Sequence, residues 1–293
     1  MQFDNRWCIM RKEKTTGGMG YMRNLLKKYF SEQNIEYFSV LSYGDCREIN
    51  SSIVDRQGFL PGSVIIYLLP YYAGETVNLS RYAASLDYHI AISEVNSGLE
   101  ELLMTNFPDA RVKGYGDHSP IDERHAALIS GLGIAGENGL LINEKYGSFI
   151  FIADTVTDIA PELLGAIEPM PVRTCEGCEA CKRFCPTGIL RGEGDDCLSA
   201  ITQRKGELTE EEKELMRKCN TLWGCDLCQI SCPHNRKPLL TPIKFFHRDR
   251  IPHLTANILD NMSDGDFSKR AFAWRKRRIV ERNIEILYGK KQV

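Results

Sequence analysis

Nine of the chain's eleven cysteines fall between residues 175 and 232. The first run reads Cys175-Glu-Gly-Cys178-Glu-Ala-Cys181-Lys-Arg-Phe-Cys185-Pro186, the C-x2-C-x2-C-x3-C-P spacing of bacterial ferredoxins. The second, Cys225-Asp-Leu-Cys228-Gln-Ile-Ser-Cys232-Pro233, alters two inner spacings. Three closely spaced thiolates can wrap three corners of one cubane cluster, and the fourth, followed by proline, turns to the other cluster. The wiring predicted is crossed: Cys175, Cys178 and Cys181 with Cys232 on one [4Fe-4S] cluster, and Cys185, Cys225 and Cys228 on the other. One more ligand is needed, for which Cys197 and Cys219 are both candidates; spacing does not choose between them. Paired C-x2-C elements also bind zinc, but zinc leaves the third cysteine of the run and the following proline unexplained.

The rest of the composition fits this chemistry. At 293 residues and 33.3 kDa the chain has length for about two domains. Its 43% hydrophobic and 26% charged residues are ordinary for a globular protein. The apolar run Val64 to Leu69 is far short of the roughly 20 residues that cross a bilayer, and the start MQFDNRWCIMRKEK lacks the apolar core of a secretory signal. A soluble, cytoplasmic protein with no membrane association is expected, where thiols stay reduced and cysteines serve metals. Cys8 and Cys46 read as ordinary small apolar or semi-exposed residues. The net charge of −2 is unevenly spread. From Ser268 onward nine Lys/Arg face two Glu, +7, so the remainder carries −9. Such a tail suits a polyanionic partner, or equally a solvated helix face.

The elements that must position these groups alternate in type. Gly20 to Phe30 has helical periodicity, with Tyr21, Leu25, Leu26 and Tyr29 apolar. Ser63 to Leu69 reads as a buried strand, Leu79 to about Leu103 as a helix, and Gly147 to Val156 as another strand. The predicted organisation is α+β: residues 1–168 as a mixed domain, 169–242 as the cluster module after the Pro169-Met-Pro171 linker, and 243–293 as a basic helical segment. Thr209 and the acids after it begin an exposed helix. In the last segment Val280, Ile284, Leu287 and Tyr288 share one face. Gly131-Leu-Gly133-Ile-Ala-Gly136 has dinucleotide-site spacing but closes a helix instead of following a strand, so it is set aside.

Two clusters alone make a ferredoxin, and the long front portion must then hold an acceptor or a substrate site. Its densest segment is Gly114-Tyr-Gly-Asp117-His118-Ser119-Pro120. Ser119 resembles an N-cap with proline at the first helical position, opening a helix from Ile121 to about Ser130. Asp117 is then either a loop aspartate bonded to local amides or an acid facing a redox centre, its pKa raised by burial for proton delivery.

Several segments resemble the epoxyqueuosine reductase family: Tyr71 to His89, with Ser80-Arg-Tyr82 and Asp87-Tyr-His89; Gly116 to Asp158; the double-cluster run; and Ser268-Lys-Arg-Ala-Phe-Ala-Trp-Arg-Lys-Arg-Arg-Ile-Val-Glu-Arg-Asn283. The resemblance covers most of the chain in the family's order. It implies cobalamin in a nitroreductase-like domain, a bacterial-ferredoxin-like double-cluster module and a basic helical C-terminal arm. It also implies reduction of the epoxide of epoxyqueuosine in tRNA to the alkene of queuosine. Asp117 matches the family's proton donor. Asp196-Cys197-Leu-Ser-Ala-Ile-Thr202 resembles its cysteine-led helix, which implies Cys197 as eighth ligand and Cys219 as spare. Cobalamin contacts are implied at Arg81, Tyr82, Leu141, Ile152 and Ser199.

By the same resemblance, electrons from an external low-potential donor pass through the clusters to cobalamin, and oxygen leaves as water while Asp117 supplies a proton. The arm residues Lys269, Arg270, Arg275, Lys276, Arg277 and Arg278 would neutralise tRNA phosphates near the anticodon. A monomer is expected. The chain departs from the family at Glu137, usually lysine, at Ala153-Asp154-Thr155, usually a Gly-Glu stretch, and at Gly116, usually branched. By the same resemblance a short form, without the helical-repeat domain of many members, is expected. The rival readings are a cobalamin and iron–sulfur reductase of another small molecule, as in reductive dehalogenases, and an electron-transfer protein without cobalamin.

Overall fold

The structure, a computed structural model, describes residues 20–289. It divides into two compact units that interleave along the chain. The first unit comprises the described residues up to Leu69 with Ile92–Ile134 and Phe151–Arg173; the second comprises Pro70–Ala91, Ala135–Ile150 and the described residues from Thr174. The expected boundaries at 168 and 242 follow the chain, whereas the contacts cross it. Two segments of the front portion are bonded into the cysteine-bearing unit. Ser80 donates its N–H to the Trp223 carbonyl at 2.8 Å, and Cys175 donates to the Ala135 carbonyl at 2.9 Å.

In the first unit, helix α1 (residues 20–32) precedes strand β1 (Phe38–Ser42), helix α2 (Ser51–Gln57) and strand β2 (Ser63–Pro70). Helix α3 (Tyr88–Asn106), strand β3 (Val112–Tyr115) and helix α4 (Glu123–Ile129) follow, and strand β6 (Ile150–Thr157) and helix α5 (Pro161–Leu164) complete the set. The sheet order is β1-β2-β6-β3. β1 and β2 are antiparallel with Phe38 opposite Tyr67; β3 and β6 are antiparallel with Tyr115 opposite Asp154. Every residue of β2 is buried, so its unbroken apolar run fits an interior strand better than an alternating one would. Met22, Leu26 and Phe30 form the buried stripe of α1, and the Phe30 ring stacks on Phe38 at 4.5 Å.

α3 starts at Tyr88, nine residues later than expected; before it, Arg81–Ala84 make only a short 3-10 turn. Residues around it are tied to the second unit's own backbone. Ser85 Oγ donates to the Phe246 carbonyl at 2.6 Å, and Leu86 bridges Arg270. A helix would have consumed the backbone groups of Leu86. The Asp87 carboxylate then accepts from the His89 N–H at 3.0 Å, which caps the helix that follows.

The second unit carries the two-residue strands β4 (Ile134–Ala135, shared with the first unit) and β5 (Leu141–Ile142). Its helices are α6 (Ala180–Phe184), α7 (Leu198–Gln203), α8 (Glu210–Lys218), α9 (Leu227–Ile230), α10 (Ala256–Asp260), α11 (Asp264–Ser268) and α12 (Arg277–Tyr288). α8 opens with the expected Thr209 cap, closed as a capping box by Glu212. α12 is a packed helix: Ile279, Val280 and Ile284 join a core with Leu222, Trp223, Leu254 and Phe272. Its buried face is turned slightly from the expected one, because Asn283 is fully buried while Tyr288 is 51% exposed. Among the described residues, no helix is long and apolar enough to cross a membrane.

Candidate cluster and proton-donor sites

The two cysteine runs meet within the second unit. A cavity of about 60 Å³ is lined by Cys175, Cys178, Cys181 and Cys232, closed by Ile142 and Pro233. Cys232 feels the charges of Cys178 and Cys175. In the other group, Cys197 and Cys228 act on Cys225, and Cys228 feels Cys197, Cys181 and Cys185. Burial, with these neighbours adding to it, pushes the Cys225 and Cys228 thiols up to about 12. Deprotonating them therefore needs the compensating charge of a metal. Cys219 sits at the C-cap of α8, and the charge acting on it is that of Lys218. Sets of four thiolates fit [4Fe-4S] clusters, although Glu137, Glu176, Glu179 and His234 line the first cavity as well.

Local backbone explains how the ligands are held. Gly177 and Glu179 take left-handed conformations at φ 67° and 57°, folding the first run tightly around its cavity before α6 starts. Pro233 begins a 3-10 turn after Cys232. Behind the second run, Asp226 is buried and accepts from the Arg81 backbone N–H at 2.6 Å and from Arg81 Nη1 at 3.3 Å. Gln229 is held by Tyr71 and Ser148, whose hydroxyls donate to Oε1 at 3.2 and 3.1 Å.

The five residues expected at cobalamin are placed as follows. Arg81 is buried and bonded to Asp226 and Glu75. The Tyr82 hydroxyl accepts from Trp223 Nε1 at 3.1 Å. Leu141 is buried in β5. Ile152 is half-buried in β6 of the first unit. Ser199 lies on α7 with its hydroxyl accepting from Gln203 Nε2 at 3.0 Å. Glu137 meets Lys182 of the first cysteine run at 2.6 Å, so its carboxylate is locally neutralised.

In the first unit, β3 leads through Gly116 to Asp117, which is exposed and left-handed at φ 67°. A Cβ on Gly116 would lie 2.8 Å from Ile92 Cδ1, so α3 admits only glycine there without shifting. The burial expected for Asp117 falls on other acids. Asp154 is 0% exposed; Ser119 Oγ donates to its Oδ2 at 3.1 Å. Glu123 lies against Asp154 and accepts a hydrogen bond from the Asp117 backbone N–H. Burial, and for Glu123 the Asp154 and Asp117 charges as well, raise both carboxyls well above the usual range. Ser119 is therefore not the N-cap of α4. Asp122 is, accepting from the His125 N–H at 2.9 Å, since Ser119 is committed to Asp154. Sequence reasoning missed Glu123 and gave Asp154 no role. An aspartate inside the apolar stretch Phe149 to Val156 was the available signal.

The basic C-terminal residues divide by use. Arg270 is 7% exposed and bonded to the Asp249 carbonyl. Arg277 donates to the Leu259 and Met262 carbonyls at 2.7 and 2.9 Å. The Arg275 guanidinium lies 3.7 Å from the Trp274 ring centroid. Lys269, Lys276 and Arg278 are exposed. Lys290 and Lys291 lie outside the described residues, as does Cys8.

Residues 174–235 match the family described as a 4Fe-4S double cluster binding domain. The chain is 31% identical over 221 residues to the epoxyqueuosine reductase of Listeria monocytogenes, covering 72% of this chain and 56% of that protein. The chain thus spans little more than half the length of that relative. Its fold matches the structure of epoxyqueuosine reductase from Streptococcus thermophilus with a TM-score of 0.72 and 23% identity, over 90% of this chain and 80% of the other. It also matches an epoxyqueuosine reductase solved with a tRNA-Tyr epoxyqueuosine-modified stem loop, at TM-score 0.73 and 21% identity, over 92% and 81% of the two chains. With its α+β first unit and double-cluster second unit, the chain is related to the epoxyqueuosine reductases.

Proposed function

We propose that the protein is an oxidoreductase of the epoxyqueuosine type, reducing the epoxide of epoxyqueuosine in tRNA to the alkene of queuosine. The observation that carries the reading is the crossed grouping of the cysteines in a chain 31% identical to such an enzyme. In this reading the first unit is nitroreductase-like and Asp117 is the proton donor.

The reaction consumes two electrons and two protons, breaks both C–O bonds of the epoxide and releases water. Bound clusters and cobalamin would supply the electrons, drawn singly from an external low-potential donor. The chain's residues do the rest. Cys175, Cys178, Cys181 and Cys232 hold one cluster, and Cys185, Cys197, Cys225 and Cys228 the other. Asp117 gives a proton to the departing oxygen, which spares the cost of expelling it as an anion; a positioned acid contributes about 10²–10⁴-fold. The buried Ser80 hydroxyl has no partner and lies beside Gly224, where a Cβ would come within 2.2 Å of it and 3.2 Å of Tyr82 Cε1. It is the kind of group that an amide of cobalamin would satisfy, next to the expected contact Tyr82. Lys269, Lys276 and Arg278 are the exposed cations that would face the phosphates of an anticodon stem loop.

The test is anaerobic reconstitution of the full chain with iron, sulfide and cobalamin, then assay on tRNA bearing epoxyqueuosine. Queuosine should form. Retained clusters and cobalamin without conversion would move the substrate elsewhere, and iron–sulfur protein that retains no cobalamin would leave an electron carrier.

A further inference from the structure

Beneath the Asp117 loop, two buried oxygens face a problem that neither solves alone. Asp154 Oδ1 and Glu123 Oε1 are both buried without a donor, although the two carboxyl groups lie within hydrogen-bonding reach of each other. Ionised carboxylates only accept. One proton between them satisfies both oxygens and removes a like-charge contact. On the same helix as Glu123, His125 Nδ1 is also buried without a partner, and Arg56 acts on Tyr115. The groups acting on the pair from the neighbouring elements are Cys46 after β1, Tyr67 on β2, Tyr115 on β3 and Asp117 itself. Each is neutral or negative. Arg47, at the edge of the site, is committed to Asp122 at 3.5 Å.

The other ends of the pair are fixed. Ser119 Oγ donates to Asp154 Oδ2, and the Asp117 N–H donates to Glu123. The result is a continuous chain: Ser119 hydroxyl to Asp154 carboxylate, Glu123 acid proton to Asp154, Asp117 N–H to Glu123. It ends on a residue at φ 67°, a left-handed conformation that is strained for a residue other than glycine and persists when the surrounding structure holds it.

We propose that Glu123 is a positioning residue for Asp117: a single proton shared with Asp154 lets Glu123 tie the floor of the sheet to the Asp117 backbone and hold that loop in its left-handed turn. Asp117 is then presented outward in one geometry while the shared proton stays, and the tether opens when the proton is lost. This rests on the reading of Asp117 as proton donor, but the tether itself is a property of the first unit and is measured without turnover.

Hydrogen–deuterium exchange of the full chain, read on the peptide covering residues 114–120 and corrected for the intrinsic pH dependence, tests it. Glu123→Ala should speed exchange of this loop about tenfold at neutral pH, the effect of losing one net hydrogen bond. Glu123→Gln keeps both bonds, donating to Asp154 and accepting from Asp117 without titrating, so it should match the native chain at neutral pH. In alkaline solution the native loop should lose protection and Glu123→Gln should not. Asp154→Asn should likewise abolish the alkaline transition, and it stands in if Glu123→Ala does not fold. Equal protection in all variants at every pH, or a Glu123→Gln loop as open as Glu123→Ala, overturns the proposal. If the native chain does not convert epoxyqueuosine at all, the functional reading fails while the exchange result still decides the tether. If it converts, the alkaline limb of its pH profile should shift in Glu123→Gln; an unshifted limb places Glu123 outside the mechanism.

Discussion

The Asn283 amide of α12 donates to the Thr202 carbonyl at the end of α7, at 2.7 Å. The same nitrogen reaches the Leu222 carbonyl at 2.9 Å. One fully buried side chain thus joins the helix that follows Cys197 to the segment that leads into Cys225. Asn283→Leu keeps the branched shape, orphans the Leu222 carbonyl and leaves the Thr202 carbonyl only Arg282 Nη2 at 3.5 Å, which costs about 1–3 kcal/mol for an unsatisfied buried group. A thermal melt should show that loss, and the reconstituted variant should bind less iron than the native chain. Native iron content in a destabilised variant would show that α12 supports the fold without supporting the ligands.

Cys197 and Cys219 offer a direct comparison. Cys197 acts on Cys225 and Cys228, whereas Cys219 ends α8 beside Lys218. Cys197→Ala should lower iron and sulfide content and change the electron paramagnetic resonance of the reduced protein. Cys219→Ala should leave both unchanged. The opposite pair of results would exchange their roles.

Asp117→Asn retains a residue type that tolerates the left-handed region and removes the acid proton. Clusters and cobalamin should be retained in full, while turnover falls by about 10²–10⁴-fold. Single-turnover assays under anaerobic conditions measure this, and a near-native rate would sink the assignment of Asp117.

Stability should depend on pH through Asp154. Its carboxyl is raised by burial above the value of about 3.9 it has in the unfolded chain. Above that value the native state holds more protons than the unfolded state, so stability falls as pH rises towards and through the native pKa. Asp154→Asn removes this dependence. The variant should melt higher than the native protein in mildly alkaline buffer, by on the order of 1 kcal/mol, with no gain near pH 4. Parallel melting curves at all pH values would mean that the Asp154–Glu123 pair does not hold its shared proton in the fold.

The basic residues should separate into two phenotypes. Lys276→Ala and Arg278→Ala should weaken binding of tRNA and flatten its salt dependence, each phosphate left without its cation reducing the slope by about 0.7–0.9, with the melting temperature unchanged. Arg270→Ala and Arg277→Ala remove donors to buried or half-buried carbonyls and should lower the melting temperature first. Filter binding over a salt series, beside melts of the same proteins, distinguishes the two.

Cysteine spacing by itself pointed to the metal chemistry and to the proposed ligand grouping, because thiolates two and three residues apart have little freedom in how they surround a cluster. The apolar run of β2 and the Thr209 capping box were equally legible, since each depends on neighbours in sequence. Other features depended on residues far apart along the chain. The late start of α3 was decided by the Trp223 carbonyl, which takes the Ser80 N–H, and by the bridge of Leu86 to Arg270, which claim the backbone on either side of Arg81. Arg270 and Arg277 looked like a charged arm until the carbonyls they serve came into view. Asp117 was visible as an acid on a glycine-flanked loop, but its support was not. Glu123 and Asp154 are 31 residues apart in sequence, and only the pairing of β3 with β6 and the docking of α4 bring two carboxyls into one dry site. Proton sharing there is a consequence of distance and burial, and tertiary structure alone sets both.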